Sequence, residues 1–389
     1  NFSQTQIMLS NFFNMSKRLS TEQKMIIDSV KKFSQEYLNP RVINDYKNEI
    51  VDKNIFKEMG RLWILGPTIT GHDCLGSDYL TYGLIAKEIE AVDSGYRSMF
   101  SVQSSLVMLP IDKFGSDLVK SKYLPELASG NMIGCFGLTD PNHGSNPNDM
   151  ETKAIPDGND FILNGSKTWI SNSPIADVLL VWAKHNNNVK GFIVERDTEG
   201  LTTPKIEGKL SLRTSVTGMI MMDDVRVPKE NMLNVEGLKG PFTCLNSARF
   251  GISFGVLGAT ETCLENTLEY TLDRKQFDEP LASKQLVQNK LANMFTDYTM
   301  ALNSCYTVAD NIDNNNYLPE MISMVKRNSC MKSLDIARTC RDIYGGNGIS
   351  EEYPIFRHMV NLETVNTYEG TSDIHSLILG KYLTKISSF

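Results

Sequence analysis

The sequence predicts an α–β–α chain, in which an N-terminal helical domain (20–133) and a C-terminal helical bundle (241–389) flank a β-domain (134–240). Three observations support this order. A capping box at Ser20–Gln23 opens a stretch in which apolar residues recur at helical spacing. Short β-prone runs then alternate with turn residues at regular intervals. Helical spacing returns after Gly240-Pro241.

The N-terminal part divides into an extension and a helical domain. Residues 1–19 contain Lys17 and Arg18 but no acidic residue, as in the remnant of an organellar targeting peptide; an ordinary frayed terminus is the alternative. Beyond them, helical spacing continues through Leu84–Ala91 and Ser104–Met108. We therefore expect an extension followed by a helical domain.

The β-domain shows a turn signal inside its first long run. Asn164-Gly165 stands between two β-prone runs, which predicts a hairpin at that pair. Further strands are expected at Val178–Trp182, Phe192–Glu195 and Val225–Val227. Their regular spacing predicts a small antiparallel sheet or barrel.

The C-terminal part reads as long helices with short connections. Apolar residues step by threes and fours through 245–263 and 291–305, and a further long helix ends at Tyr344, before Gly345–Gly348. Four such helices predict a bundle. Because the glycine cluster follows a helix and not a strand, a Rossmann-type dinucleotide loop is not expected.

Composition excludes several classes of function. The chain has 39 basic and 46 acidic residues and a net charge of −7, which argues against nucleic acid as a partner because phosphate binding needs a basic face. Seven dispersed cysteines indicate reduced thiols and an intracellular compartment. The five histidines are isolated, so no metal site is expected. No apolar run is long enough to span a bilayer.

The stretch Asn366–His375 carries a candidate catalytic group. Glu369 precedes Gly370, a residue that permits a tight backbone path and close approach of a ligand. A glutamate held by a structured loop can act as a general base. The alternative is that Gly370 ends a helix and Glu369 is solvated beside it.

Five segments, in order along the chain, resemble those of the acyl-CoA dehydrogenase family: Phe136–Ser145, Lys167–Ser171, Arg274–Phe277, Tyr344–Gly348 and Tyr368–Thr371. The resemblance covers residues 20 to 389 and implies that family's α–β–α fold. It also implies an FAD cofactor, an acyl-CoA substrate and a homotetramer.

The resemblance makes Glu369 the base that removes the α-proton of the thioester. Some relatives instead carry the base just before the arginine that matches Arg249, where this chain has Ala248, which cannot act. A carboxylate in an apolar site suits this task because burial raises its pKa toward the working pH.

The resemblance also implies the positions that contact FAD. Within one subunit they are Phe136, Leu138, Thr139, Ser145, Trp169, Ile170, Ser171, Thr371 and Asp373; from a neighbouring subunit they are Arg274, Phe277, Gln285, Asp342, Gly345 and Gly346. Ser145 is also expected near the acyl-CoA. The family usually has Glu at the position of Asp140 and Thr at that of Ser171. The alternatives are core packing for Trp169 and a surface ion pair for Arg274.

The segment around Arg97 most resembles the branch of the family that acts on glutaryl-CoA. A distal carboxylate buried in an apolar tunnel needs a cation with hydrogen-bond donors, and Arg97 offers a planar fork. The residues that this branch implies at the substrate are Arg97, Ser98, Ser101, Glu90, Ser145, Tyr368 and, for CoA, Arg249. The alternatives are an exposed Arg97–Glu90 pair and a surface charge at Arg249.

The function implied is FAD-dependent oxidative decarboxylation of glutaryl-CoA to crotonyl-CoA and CO2. Electrons would pass to electron-transferring flavoprotein, which places the protein in the mitochondrial matrix. The alternatives are a dehydrogenase for a short monocarboxylic chain, an oxidase on the same fold, and a non-catalytic scaffold that has kept this fold.

Overall fold

Helices form both ends of the chain and a sheet forms its middle in the computed structural model, which describes residues 9–387. The N-terminal helices are α1 Thr21–Phe33, α2 Val42–Asn48, α3 Asn54–Arg61, α4 Tyr79–Glu90, α5 Ser94–Ser101, α6 Leu109–Phe114 and α7 Asp117–Ala128. The predicted capping box opens α1. Ser20 Oγ accepts from the Gln23 amide at 3.1 Å, and the Gln23 side chain accepts from the Ser20 amide at 2.8 Å.

The described part of the N-terminal extension packs against the C-terminal helices. Leu9 and Met15 are buried. Phe12 meets Phe295 edge to face, with ring centroids 5.1 Å apart. Residues 1–8, the remainder of the predicted extension, lie outside the described residues.

The middle sheet consists of β1 Gly134–Gly137, β2 Lys153–Asp157, β3 Asp160–Ser171, β4 Val178–His185, β5 Asn188–Glu195, β6 Leu201–Thr202 and β7 Thr217–Pro228. The order is β1-β4-β2-β3-β7-β6, and β5 also pairs with β4. The β2–β3, β3–β7, β4–β5 and β6–β7 pairs are antiparallel, as predicted. β1 and β2 join β4 in parallel, a detail that strand spacing alone does not reveal.

The hairpin predicted at Asn164-Gly165 is wrong. β3 runs without interruption through this pair, and the turn lies upstream, where Asp157 pairs with Asp160. The β3–β7 register shifts between Leu163 and Gly165, so the pair forms a bulge. Gly165 has φ 139°, and a Cβ there would lie 2.7 Å from Thr152 Cα. The glycine therefore serves a close approach of two backbones and not a turn.

The C-terminal helices are α8 Lys239–Asp273, α9 Gln285–Asp313, α10 Pro319–Ile343, α11 Ile355–Thr367 and α12 Ser372–Thr384. A two-stranded hairpin, β8 Lys275–Gln276 and β9 Glu279–Pro280, separates α8 from α9. These bounds confirm the predicted long helices. α8 packs against both α4 and α10, so it lies between the N-terminal helices and the bundle. Within residues 9–387, no helix is long and apolar enough to cross a membrane.

Candidate active site

Arg97 of α5 is the centre of a buried cluster that joins distant parts of the chain. The Arg97 side chain is 1% exposed, and that of Glu90, at the end of α4, is 0% exposed. Arg97 Nε donates to Glu90 Oε2 at 2.6 Å, and Nη1 donates to Ser101 Oγ at 3.3 Å. Nη2 donates to the hydroxyl of Tyr368. Because Arg97 and Glu90 are both buried, the alternative of an exposed ion pair is wrong. Ser98 is buried on the same helix as Arg97.

The hydrogen bonds of Arg97 leave part of its guanidinium unused. A guanidinium carries five N–H donors. Among residues 9–387, three are used, by Glu90, Ser101 and Tyr368, which leaves two, one on each Nη. Burial lowers the pKa of Arg97, but the Glu90 carboxylate and the Tyr368 hydroxyl raise it by more. The net shift is therefore upward, and the guanidinium stays charged. The cluster therefore presents a fixed cation with a free pair of donors.

The loop that carries Glu369 is held through its backbone carbonyls. Lys326 of α10 is 1% exposed. Its Nζ donates to the carbonyl oxygens of Val365 at 3.2 Å, Tyr368 at 3.0 Å and Gly370 at 2.8 Å. Burial lowers the pKa of Lys326, and the three carbonyls provide the partners that a buried ammonium needs.

The sequence pattern did not single out Lys326, although a signal was present. Ile322, Lys326, Ser329 and Ser333 recur at helical spacing and are all buried along one face of α10. A lysine in phase with buried positions indicates a buried cation that needs partners. Its partners lie 39 to 44 residues further along the chain. Only the folded chain identifies them.

Glu369 lies in an electrostatic setting that suits a base. Its Oε2 atom is buried and has no hydrogen-bond partner among residues 9–387. Burial raises the pKa of Glu369, while Arg97, Arg249 and Lys326 oppose that shift. Arg249 is 9% exposed and donates from Nε to the Glu369 carbonyl at 2.7 Å. Both solvated alternatives, for Glu369 and for Arg249, are therefore wrong.

The backbone at Glu369 and Gly370 is left-handed, with φ of 52° and 99°. A Cβ at Gly370 would lie 2.8 Å from His375 Nε2 and 3.3 Å from an Arg249 nitrogen, so only glycine fits there. His375 is 0% exposed, and burial lowers its pKa to about 3, so the imidazole is neutral at physiological pH. Thr371 caps α12 by accepting from the Ile374 amide at 3.2 Å.

Trp169 lies on the surface at the end of β3. It is 64% exposed and has a left-handed φ of 59°, in a second bulge of the β3–β7 pairing. The neighbouring Thr168 amide donates to the Thr139 carbonyl at 2.9 Å, which joins this bulge to the segment after β1. Ile170 is buried beneath and Ser171 is half-buried. The alternative of core packing for Trp169 is therefore wrong.

Asp140 fixes the segment that follows β1. It is 2% exposed and accepts from the amides of Glu151 at 2.5 Å and Thr152 at 2.9 Å. Lys167 Nζ donates to it at 2.5 Å and to the Leu138 carbonyl at 3.0 Å. Burial lowers the pKa of Lys167 to about 8. This network places Leu138 and Thr139 beside the Trp169 bulge. Phe136 precedes them on β1, where it pairs with Leu180 of β4, and Ser145 is exposed in the turn that follows.

A second set of predicted positions lies on an exposed surface. Phe277 is 90% exposed at the tip of the β8–β9 hairpin. The other positions expected to meet a neighbouring subunit's FAD are also exposed, at or just beyond the ends of α8, α9 and α10: Arg274, Gln285, Asp342, Gly345 and Gly346. Asp373, at the start of α12, is exposed as well. No hydrogen bond or ion pair within the described residues joins any of the six neighbouring-subunit positions to Glu369. Asp342 pairs with Lys290 at 2.6 Å.

Comparison with known proteins assigns most of the chain to one family. Models of the acyl-CoA dehydrogenase N-terminal, middle and C-terminal domains match residues 20–131, 135–225 and 236–384. An acyl-CoA dehydrogenase from Bacillus subtilis (strain 168) is 33% identical over 373 residues, which cover 94% of this chain and 98% of that protein.

Two solved structures share this fold over nearly their full lengths. A glutaryl-CoA dehydrogenase from Mycobacterium smegmatis in complex with FADH2 is 44% identical, with a TM-score of 0.96 and coverage of 98% of this chain and 99% of that one. The butyryl-CoA dehydrogenase from Megasphaera elsdenii is 32% identical, with a TM-score of 0.90 and coverage of 94% and 98%.

Proposed function

The chain belongs to the acyl-CoA dehydrogenase family of FAD-dependent oxidoreductases, and we propose that it converts glutaryl-CoA to crotonyl-CoA and CO2. The observation that carries this choice of substrate is the buried Arg97, which keeps two N–H donors unused. The 44% identity to a glutaryl-CoA dehydrogenase supports it.

The residues around the β3 bulge fit the cofactor of the family. An aromatic side chain that is 64% exposed on left-handed backbone is an unfavourable arrangement by itself, and a flat ligand that covers the indole accounts for it. Hydroxyls of Thr139 and Ser171 lie on the adjoining segments. When bound, FAD supplies the two-electron acceptor for the hydride that leaves Cβ.

Arg97 provides the selectivity for a dicarboxylic chain in this proposal. Burying the distal carboxylate of glutaryl-CoA is costly unless a cation and donors meet it. The two unused donors, one on each Nη, match the two oxygens of a carboxylate in a bidentate pair. A monocarboxylic chain such as butyryl would leave these donors unpaired in a buried site, which disfavours its binding.

Glu369 removes the α-proton of the acyl chain. Its unpaired, buried Oε2 is free to accept that proton, and its raised pKa makes it a stronger base than an exposed carboxylate. Lys326 and Arg249 hold the backbone on both sides of Glu369, so the carboxylate stays in one position. Loss of the proton and of the β-hydride gives glutaconyl-CoA.

Glu90 supports the decarboxylation that follows. Loss of CO2 from the γ-carbon moves negative charge away from the distal carboxylate and into a dienolate, which protonation converts to crotonyl-CoA. A cation that bound this carboxylate too tightly would oppose the step, because it would stabilise the starting state more than the transition state. Glu90 shares the charge of Arg97 and so limits that stabilisation.

A product analysis tests this function. The purified holoenzyme is given glutaryl-CoA or butyryl-CoA with an artificial electron acceptor, and the acyl-CoA products are identified by mass. We expect glutaryl-CoA to be the better substrate and to yield crotonyl-CoA. Glutaconyl-CoA as the final product would refute decarboxylation, and equal turnover of the two substrates would favour a short-chain dehydrogenase. Rapid peroxide formation in air would indicate an oxidase, and a protein without flavin a scaffold.

The remaining expectations of the resemblance stay predictions. They are electron transfer to electron-transferring flavoprotein, a homotetramer in which the exposed Arg274 and Phe277 surface meets a neighbouring subunit's FAD, and a location in the mitochondrial matrix. An exposed phenylalanine at a hairpin tip supports the second, because such a side chain is stabilised when a partner covers it.

A further inference from the structure

Gly255 lies on α8, where this helix faces the buried pair of Arg97 and Glu90. A Cβ atom at Gly255 would lie 2.2 Å from Glu90 Oε2, 3.1 Å from Arg97 Nε and 3.2 Å from Arg97 Cδ. The first distance is far inside van der Waals contact, so any larger residue would displace the Glu90 carboxylate. The missing side chain therefore provides the space that the ion pair occupies.

The backbone gives no reason for a glycine at this position. α8 continues without a break from Lys239 to Asp273, and Gly255 has ordinary helical geometry. Alanine is the better helix former in such a place, because glycine loses more conformational entropy on folding. The close approach of Glu90 is the physical reason that remains.

The Glu90 carboxylate depends on Arg97 for its position. Its Oε2 accepts from Arg97 Nε, while its Oε1 is buried and has no hydrogen-bond partner within residues 9–387. A methyl group at Gly255 would therefore meet the end of a side chain that is held at one point. Displacement of that end would break the contact between Glu90 and Arg97 Nε.

We propose that Gly255 is a positioning residue that determines specificity for a dicarboxylic acyl chain, because it admits the Glu90 carboxylate to Arg97. This inference rests on the proposed function. Glu90 accepts from Nε and thereby helps to fix the orientation of the guanidinium, so that the two unused Nη donors remain for the substrate. Without Glu90 in place, Arg97 carries an uncompensated buried charge and loses the one charged contact that orients its guanidinium.

Gly255→Ala tests the inference in the FAD-loaded enzyme. The measurement is the ratio of kcat/KM for glutaryl-CoA to that for butyryl-CoA, with flavin content and Tm as checks of folding. We expect the ratio to fall roughly tenfold or more, the effect of one misplaced charged hydrogen bond. An unchanged ratio, in an enzyme whose wild type prefers glutaryl-CoA, would overturn the inference and leave the proposed function standing.

Gly258→Ala is the matched control on the same helix. A Cβ at Gly258 would lie 1.9 Å from the Lys87 carbonyl oxygen, so it strains the same α8–α4 contact through the backbone without touching Arg97. We expect it to lower Tm and to change kcat/KM for both substrates alike. If Gly255→Ala shows that same pattern, its role is merely structural and the inference fails.

A double-variant cycle that combines Gly255→Ala with Glu90→Ala separates an effect through Glu90 from a general loss of stability. Removal of the Glu90 carboxylate leaves room for a methyl group, so Gly255→Ala should change the substrate ratio by less than about twofold in that background. An undiminished effect would show that Gly255 does not act through Glu90. A wild type with no preference for glutaryl-CoA would overturn the proposed function and this inference together.

Discussion

Replacement of Arg97 by methionine separates the two roles that the buried cluster gives this residue. Methionine keeps the apolar stem and removes the guanidinium, so it leaves Glu90 buried and unpaired. Removing one partner of a buried ion pair costs about 3–5 kcal/mol of stability. The double variant Glu90→Gln/Arg97→Met removes both charges, and we expect it to recover most of the loss in Tm.

The effect on catalysis follows from the two unused Nη donors. A hydrogen bond to a charged group contributes about 1.5–3 kcal/mol, so two donors give about 3–6 kcal/mol for the distal carboxylate. That range corresponds to a loss of about 10²- to 10⁴-fold in kcat/KM for glutaryl-CoA. Butyryl-CoA has no distal carboxylate and no longer leaves these donors unpaired, so its kcat/KM should stay the same or rise.

The assay is steady-state oxidation of both thioesters by the wild type, the single variant and the double variant, together with thermal unfolding of each. We expect the double variant to regain thermal stability without regaining selectivity for glutaryl-CoA. If either variant retained the wild-type preference, Arg97 would not bind the distal carboxylate and the reasoning would be refuted.

Three further predictions concern the loop and the bulge. Glu369→Gln should lower kcat by about 10²-fold or more, as expected for loss of a general base. The fold raises the pKa of Glu369, so it binds the neutral carboxyl better than the charged one. The stability that the neutral form contributes is present at low pH and is lost as the pH rises through the raised pKa. The Gln variant stays neutral, so its Tm should be higher than that of the wild type at pH 8 and similar near pH 4. A lower Tm at pH 8 would contradict this. Lys326→Met should lower kcat for both thioesters and leave the flavin content unchanged, because the substitution removes the donor to three backbone carbonyls around Glu369. An unchanged kcat would show that the loop keeps its position without Lys326. Trp169→Ala should weaken FAD retention, measured by dialysis, and leave the Tm of the apoprotein unchanged, because the side chain is exposed; full retention would exclude contact with the flavin.

Periodicity predicted the layered fold because its signals are local. The capping box at Ser20, the apolar spacing along α8 and the glycines after α10 each describe a segment by itself. The bulge at Asn164-Gly165 could not be distinguished from a turn in this way. What decides it is the close approach of Thr152, the residue before β2, which no local pattern contains.

The candidate site was predicted in part, through the resemblance and not through spacing. Its contacts join residues far apart in the chain: Arg97 and Tyr368 are separated by 271 positions, and Arg249 and Glu369 by 120. The sequence did not predict the roles of Lys326 and Gly255 for the same reason. Their importance comes from what lies opposite them, three carbonyls in one case and a carboxylate in the other.

The most direct test of the central claim is a single anaerobic titration of the purified holoenzyme. Glutaryl-CoA labelled at its distal carboxyl carbon is added while the visible flavin absorbance and the released CO2 are recorded. We predict that the flavin band bleaches and that labelled CO2 appears in step with crotonyl-CoA. A flavin band that glutaryl-CoA leaves unchanged, or bleaching without labelled CO2, would contradict the proposed reaction.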